Sequence, residues 1–374
     1  MENTFDYPLV FTGDITNITD TSATFTAKVT NLGKYTILES GFVWSLYHNN
    51  NNGIKLRNEK TLIGVYSLKT NEKLLPGKTY YVRAYIQNES SVTYGRELTF
   101  QTPEKNVNPG KWIQIFDYPI STDWSEGCEI ISTYFTINDS TYVIFNDGEM
   151  YCYSHIANTL KYITTTSFLY PEAGFSVVYN GYVYVFSMNV FYRFDPKALS
   201  FSKLNVIGQD QVISGASGFL YGDNIYVGIG SAKEYWKYNI SSDTWNRVSS
   251  FPGDSRYDSY AFAINNIGYI GSRINTEAWN YDPENDNWIR KENSPFTGGI
   301  YHSSTNTMIY GYCFYNHDLY EYNPIFDIWE KRAHLTSEGN ICDPRMFTLR
   351  GEIYLINIWN SNHTDHFNLW VYEK

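Results

Sequence analysis

From Phe5 to Thr102, apolar and polar residues alternate in short runs broken by turn residues, as in Thr24-Phe25-Thr26-Ala27-Lys28-Val29. A period of two predicts strands with one buried face. Gly41-Phe42-Val43-Trp44-Ser45 reads as one such strand, carrying a core tryptophan. Beyond residue 110 a longer regularity takes over. A tyrosine with a polar or glycine turn before it and apolar residues after it stands at Tyr142, Tyr184, Tyr226, Tyr269, Tyr310 and Tyr354, in steps of 42, 42, 43, 41 and 44 residues. Seven residues before these lie Phe135, Val177, Phe219, Phe262, Ser303 and Phe347. Ten to twelve residues after the first five lie Tyr153, Phe194, Tyr238, Tyr281 and Tyr322, whereas the sixth partner, Tyr372, follows after eighteen. The last repeat therefore carries an insertion, expected as an enlarged loop around His363-Thr364-Asp365-His366.

Four strand-like runs in each period of roughly 40 to 50 residues are the signature of a β-propeller blade. Trp245, Trp288 and Trp329 stand seven residues after Tyr238, Tyr281 and Tyr322, on the expected outermost strand. The last repeat ends two residues after Tyr372 and never reaches that strand, while Trp112 has no repeat of its own. Pairing of 111–116 with the strand around Trp370 would supply the missing strand and leave neither end of the ring as an open edge. The expected fold is thus all-β, with an N-terminal β-sandwich (1–104), a linker rich in Asn and Pro (105–110), and a six-bladed propeller (111–374) closed by the strand at 111–116. A second aromatic series, Tyr151, Tyr192, Trp236, Trp279, Tyr320 and Trp370, is read as packing between blades, because a ligand-stacking role would not be needed six times.

Tyr281-Asp282-Pro283 with Trp288, and Tyr322-Asn323-Pro324 with Trp329, resemble the Y-D-P and W pair of Kelch repeats. The double glycine of that family is lacking, with only Gly228, Gly230, Gly271 and Gly311 near its place, so the blades resemble divergent Kelch repeats. In the first domain, Leu74-Leu75-Pro76-Gly77-Lys78-Thr79-Tyr80 is similar to the L-x-P-G-x-x-Y turn of fibronectin type III domains, in which the tyrosine hydroxyl ties back to the corner before it. That resemblance implies a fibronectin type III or Ig-like sandwich whose Tyr80 locks two sheets, in a module of the kind that serves as a spacer or docking piece in exported proteins.

Composition narrows the partners. The net charge of −11 is uneven, since residues 1–105 hold 10 acids against 11 bases and the rest holds 29 against 17. An acidic propeller repels a phosphate backbone, so nucleic acid is not expected as a partner. Cys128, Cys152, Cys313 and Cys342 form neither a disulfide framework nor a CxxC zinc pair, and no cofactor or metal is expected. No 18-residue apolar run is present, so no transmembrane segment is expected. Met1-Glu2-Asn3-Thr4 lacks the features of a signal peptide. Together with the fibronectin-like module, this is read as a chain trimmed of its export signal, belonging to the periplasm or outer cell surface.

Candidate chemistry lies where the repeats differ, in the segments leading into each first strand, which border the channel in Kelch propellers. Glu129 and Glu172 stand there in the first two repeats, and Arg256, Tyr257, Asp258, Tyr301, Asp343 and Arg345 in the last three. Two arginines among carboxylates and tyrosines suit an acidic or polyhydroxylated ligand, with Arg forks for a carboxylate. Ordinary polarity of turn loops is the competing reading. The motifs of galactose oxidases and sialidases are not found. The expected function is a non-catalytic exported binding protein that recognises a glycan or a protein. The alternative is a sugar-processing enzyme similar to the sialic acid mutarotases, with Arg256 or Arg345 clamping a carboxylate and Asp258, Asp343 or Glu172 handling protons.

Overall fold

The computed structural model describes residues 5–374 apart from 50, 72–73, 105–109, 121–130, 167–174, 188–189, 208–214, 229–232, 255–258, 273–275, 296–299, 305–307, 337–341 and 362–363, together with the side chains of 187, 272, 300, 342–343, 359–361 and 364. The chain divides into two compact units, Met1–Asn108 and Pro109–Lys374.

In the first unit, Leu9–Thr16, Thr24–Asn31 and Gly64–Lys69 form one antiparallel sheet. Ile54–Arg57, Ile37–Ser45 and Thr79–Asn88 form the other, and both Val92–Tyr94 and Leu98–Gln101 pair with Thr79–Asn88. The alternation seen in the sequence places Phe25, Phe42, Trp44, Tyr80 and Phe100 between the sheets, all buried. Phe25 meets Phe42 and Phe100 at 5.4 and 5.5 Å between ring centroids. The Tyr80 ring stacks on Phe100 at 5.4 Å, and its hydroxyl accepts a 2.6 Å hydrogen bond from the Leu75 amide in the preceding turn.

The second unit contains six four-stranded antiparallel sheets among the described residues. Their first strands, in chain order, are Ile131–Ile137, Phe175–Tyr179, Ser217–Tyr221, Ser259–Ile264, Ile300–Ser304 and Cys342–Leu349. Each first strand touches the next, and the sixth touches the first, so the sheets close a ring around one axis as the blades of a β-propeller. Six buried clusters sit between neighbouring sheets. Phe135, Tyr142 and Ile144 of the first sheet, for instance, pack on Val183, Val185 and Phe194 of the second. Ile131, Val143 and Phe145 pack on Phe347, Ile356 and Ile358 across the junction of sixth and first.

The repeated tyrosine belongs to the second strand, and its period follows from this packing. Tyr226 lies opposite Phe219 in the sheet, stacks on it at 5.2 Å, and meets Tyr281 of the following sheet at 5.6 Å. Burial pushes the phenols of Tyr142 and Tyr226 up to about 12, so both pack as neutral rings. The aromatic series on the third strands is partly buried against the same clusters, as at Tyr192, Trp236, Trp279 and Trp370.

A tie not anticipated from the spacing joins the third, fourth and fifth sheets each to the one before it. Tyr281 donates to Asp286, five residues on, at 2.6 Å, and Asp286 also accepts from the Ser249 amide of the preceding sheet at 2.9 Å. Trp288 completes the tie by donating its indole N–H to the Ser249 carbonyl at 3.0 Å. The pattern recurs with Tyr238, Asp243 and Trp245 bound to Asn205, and with Tyr322 and Asp327 bound to Glu292. Asp243, Asp286 and Asp327 take φ of 52, 48 and 57°, the left-handed region that Asp and Asn tolerate better than most residues.

Closure uses the N-terminal strand. Lys111–Ile120 is the fourth strand of the sixth sheet, with Trp112 opposite Tyr372 and Gln114 opposite Trp370. Trp112 packs on Tyr372 and on Tyr312 of the fifth sheet, as the internal tryptophans pack on their preceding sheets. The strand runs four residues beyond Phe116, because the eighteen-residue spacing of the last repeat lengthens a hairpin instead of enlarging a loop. Glu352–Ser361 and Thr364–Glu373 are ten residues each and stay paired out to Ser361 and Thr364. Ile358, Phe367 and Ile120 of this extension are buried against the first sheet. Arg350 and Asp139 add an ion pair of 2.8 Å across the same junction.

Candidate functional site

Where the six first strands face one another they enclose a cavity of about 300 Å³, within the range of small-ligand sites. The strands approach this axis closely, and neighbouring walls are laced by short contacts. Tyr134 donates to the Met346 carbonyl at 2.6 Å, and Ser176 to the Tyr134 carbonyl at 2.9 Å. Ser217 shares a 2.9 Å hydrogen bond with Ser259, and Ser303 a 2.6 Å hydrogen bond with Thr348. His302 lies flat on Tyr260, ring centroids 3.5 Å apart, and is buried. Glycine is needed in this wall. A Cβ at Gly218 would stand 2.3 Å from the Phe175 ring, and on the strand behind the wall one at Gly271 would stand 2.1 Å from Tyr260.

The structure brings together two of the residues singled out from sequence. Arg345 lies in the wall, with its guanidinium 5.4 Å from the Tyr301 ring centroid. It is 8% exposed and donates to the Ile131 carbonyl at 2.6 Å and the Pro344 carbonyl at 3.1 Å. The side chain expected on an exposed turn is therefore a buried bridge between the sixth and first sheets, because its strand begins before residue 345. Asp343 is two residues away on the same strand, and its side chain is not described. Arg256, Tyr257 and Asp258 lie outside the described residues, as do Glu129 and Glu172. In the former loop candidate, Asp365 is buried, His366 pairs with Asp117 at 2.9 Å, and His363 lies outside the described residues.

The entry segments read from sequence as bordering the channel include Ser217 and His302 without giving either side chain a role, and the hydroxyls of Ser132, Ser259, Ser303 and Thr348 were not recognised as part of the wall. They sit within three residues of the landmark positions, Ser303 being one of them, and a serine in a strand carries no signal until the facing register is known. At the turn end of the junction between first and sixth sheets, His155 Nε2 is 2.8 Å from the Thr141 hydroxyl and its ring meets Tyr354 at 5.2 Å. Burial pulls its pKa down to about 4, with Asp139 opposing and Arg350 reinforcing the shift. Among the described residues, no group of three or more His, Cys, Asp or Glu side chains is placed to hold a metal ion.

No protein-family model matches the chain, and no curated protein matches it. Solved structures do resemble it in fold. A structural-genomics protein of unknown function from Bacteroides thetaiotaomicron VPI-5482 superposes with a TM-score of 0.51 at 10% identity, covering 97% of this chain and 98% of that one. An auxiliary nutrient binding protein from the same strain gives a TM-score of 0.50 at 11% identity, with both chains covered in full. At these identities the likeness is one of fold. It extends over both units of the chain.

Proposed function

We propose that the chain is a non-catalytic, exported binding protein. In this reading a fibronectin type III-like sandwich (1–104) carries a divergent, six-bladed Kelch-like propeller (111–374) whose channel holds a glycan. The observation that carries it is the channel itself, a concave site of about 300 Å³ with serine and threonine hydroxyls and a buried guanidinium in its wall. Concavity favours a small polyhydroxylated ligand over a protein surface. The recurrent Tyr–Asp–Trp ties support the Kelch assignment, and the Tyr80–Leu75 hydrogen bond supports the fibronectin one. The auxiliary nutrient binding protein of similar fold is consistent with a binding role.

The proposed contact set is Arg256, Tyr257, Asp258, Tyr301, Asp343 and Arg345, with Arg345 held in place by the Tyr301 ring and the carbonyls it bridges. A glycan array of the full chain, followed by calorimetric titration of the hits, tests it. Arg256→Ala combined with Arg345→Lys, which keeps the charge but loses the planar fork, is expected to weaken binding at least about tenfold. Unchanged affinity would remove the contact set, and polarimetric detection of sialic acid mutarotation would replace the non-catalytic reading with the enzymatic one.

A further inference from the structure

The last residues of the first strands line the turn-side end of the channel, and they divide it in two. Six positions of equal register, each six residues before the repeated tyrosine, are Thr136, Val178, Leu220, Ala263, Ser304 and Thr348. All six line the cavity or the space continuous with it. In ring order the fifth, sixth and first sheets contribute Ser304, Thr348 and Thr136, and the second, third and fourth contribute Val178, Leu220 and Ala263. Three hydroxyl residues thus form one unbroken arc, facing an unbroken arc of three aliphatic ones. Val178 is 40% exposed and Ala263 is exposed, while Leu220 between them is partly buried against the cluster joining the second and third sheets, so the aliphatic arc is open to the lumen at its two ends. Val178, Leu220 and Ala263 together line an open recess that shares Ser176, Gly218 and Ala261 with the channel.

We infer that the channel selects a sugar bearing an apolar substituent, a deoxy or N-acyl sugar, over its fully hydroxylated counterpart. The inference rests on the reading of the channel as a glycan site and adds the substituent to it. A pyranose seated with its hydroxyl edge on Ser304, Thr348 and Thr136 turns the opposite edge toward Val178, Leu220 and Ala263. A hydroxyl there faces mainly aliphatic side chains, beside a Ser176 hydroxyl already donated to the Tyr134 carbonyl, and exchanges water for poorer partners, whereas a methyl or acetyl group is buried with gain. The deoxy or acyl sugar therefore fits both arcs, and the fully hydroxylated one fits only the first. The same argument opposes a purely apolar ligand, which would strip water from the hydroxyl arc.

Matched pairs of free sugars test this on the full chain by calorimetric titration: L-fucose against L-galactose, which differ by one hydroxyl, and N-acetylglucosamine against glucose. At least one substituted member is expected to bind about fourfold or more tighter than its partner, the factor that burial of a single methyl group carries. Val178→Thr with Ala263→Ser places hydroxyls on the aliphatic arc at exposed positions. This double change is expected to bring the ratio to about one without moving the melting temperature. Equal binding within both pairs, or a ratio that survives the double change, would overturn the selectivity while leaving the glycan site standing. Silence of all four sugars on wild-type protein would overturn both.

Discussion

Asp286 is the position at which the account of the ring can be tested by a single side chain. Its carboxylate accepts from the Tyr281 hydroxyl within its own sheet at 2.6 Å and from the Ser249 amide of the preceding sheet at 2.9 Å. Burial acts to raise its pKa, but the hydrogen bonds from Tyr281 and Ser249, with Lys237 nearby, hold it below the usual carboxylate range. A hydrogen bond to a charged group is worth about 1.5–3 kcal/mol net. Tyr281 is fully buried and keeps little access to water once its acceptor is gone, whereas the partly exposed Ser249 recovers some. The side-chain loss is therefore about 2 kcal/mol. The backbone adds to it, since φ at Asp286 is 48° and an alanine held there costs about 1 kcal/mol or more. Asp286→Ala should then destabilise by about 3 kcal/mol, Asp286→Gly by about 2, and Asp286→Asn, which keeps an acceptor and tolerates the angle, by about 1. Urea unfolding of the full chain, followed by the fluorescence of Trp288 and the other tryptophans, measures all three. A double-mutant cycle with Tyr281→Phe should return a coupling of about 1 kcal/mol or more. Three variants that unfold together within about 0.5 kcal/mol of wild type would refute the reasoning, because neither the tie nor the backbone angle would then matter.

Three further outcomes follow from the same structure. Tyr80→Phe leaves the Leu75 amide without its acceptor and should cost the sandwich about 1–3 kcal/mol, read as a lowered midpoint in urea; an unmoved midpoint would dismiss the locking role. His155, whose pKa falls to about 4 in the folded chain, takes up protons more readily when unfolded, so its contribution is fully present above about pH 6.5 and is lost as pH falls toward about 4. Allowing for the partial exposure of the ring, the loss should be about 1–2 kcal/mol, and His155→Gln should flatten that part of the stability curve; an unaltered curve would contradict it. Deletion of residues 1–104 keeps the Lys111–Ile120 strand and should yield a soluble propeller, whereas deletion of 1–120 strips the sixth sheet of its outer strand and should aggregate; equal solubility of the two would count against closure by this strand.

What was legible in the sequence was what repeats. The second-strand tyrosines, the third-strand aromatics and the tryptophans recur because every junction between sheets has to bury the same kind of ring, and Trp112 could be assigned to the last sheet because one tryptophan position stood vacant there. The aspartate of the tie escaped notice although it repeats at Asp243, Asp286 and Asp327, since Asn158 and Leu199 take its place in the first two sheets. The insertion in the last repeat was visible as a number of residues but not as a shape. A longer loop and a longer hairpin use the same count, and only the burial of Ile358 and Phe367 against the first sheet decides between them. Arg345 was found by its charge and misjudged in its setting, because a strand that begins one or two residues early turns an exposed loop side chain into a buried bridge. The two arcs of the channel were written in Thr136, Val178, Leu220, Ala263, Ser304 and Thr348, but they become visible only when the sixth position before the tyrosine is known to face the lumen.

The central claim, that the ligand sits inside the ring, is tested most directly by plugging the channel. Ala263 is exposed at the aliphatic side of the lumen and packs in no buried cluster, so Ala263→Trp should fill the passage without disturbing the folded sheets. Calorimetric titration of the best sugar from the array into this variant should give no measurable heat of binding, with a melting temperature within a few degrees of wild type. Undiminished affinity in the plugged protein would contradict the account and move the binding surface elsewhere on the chain.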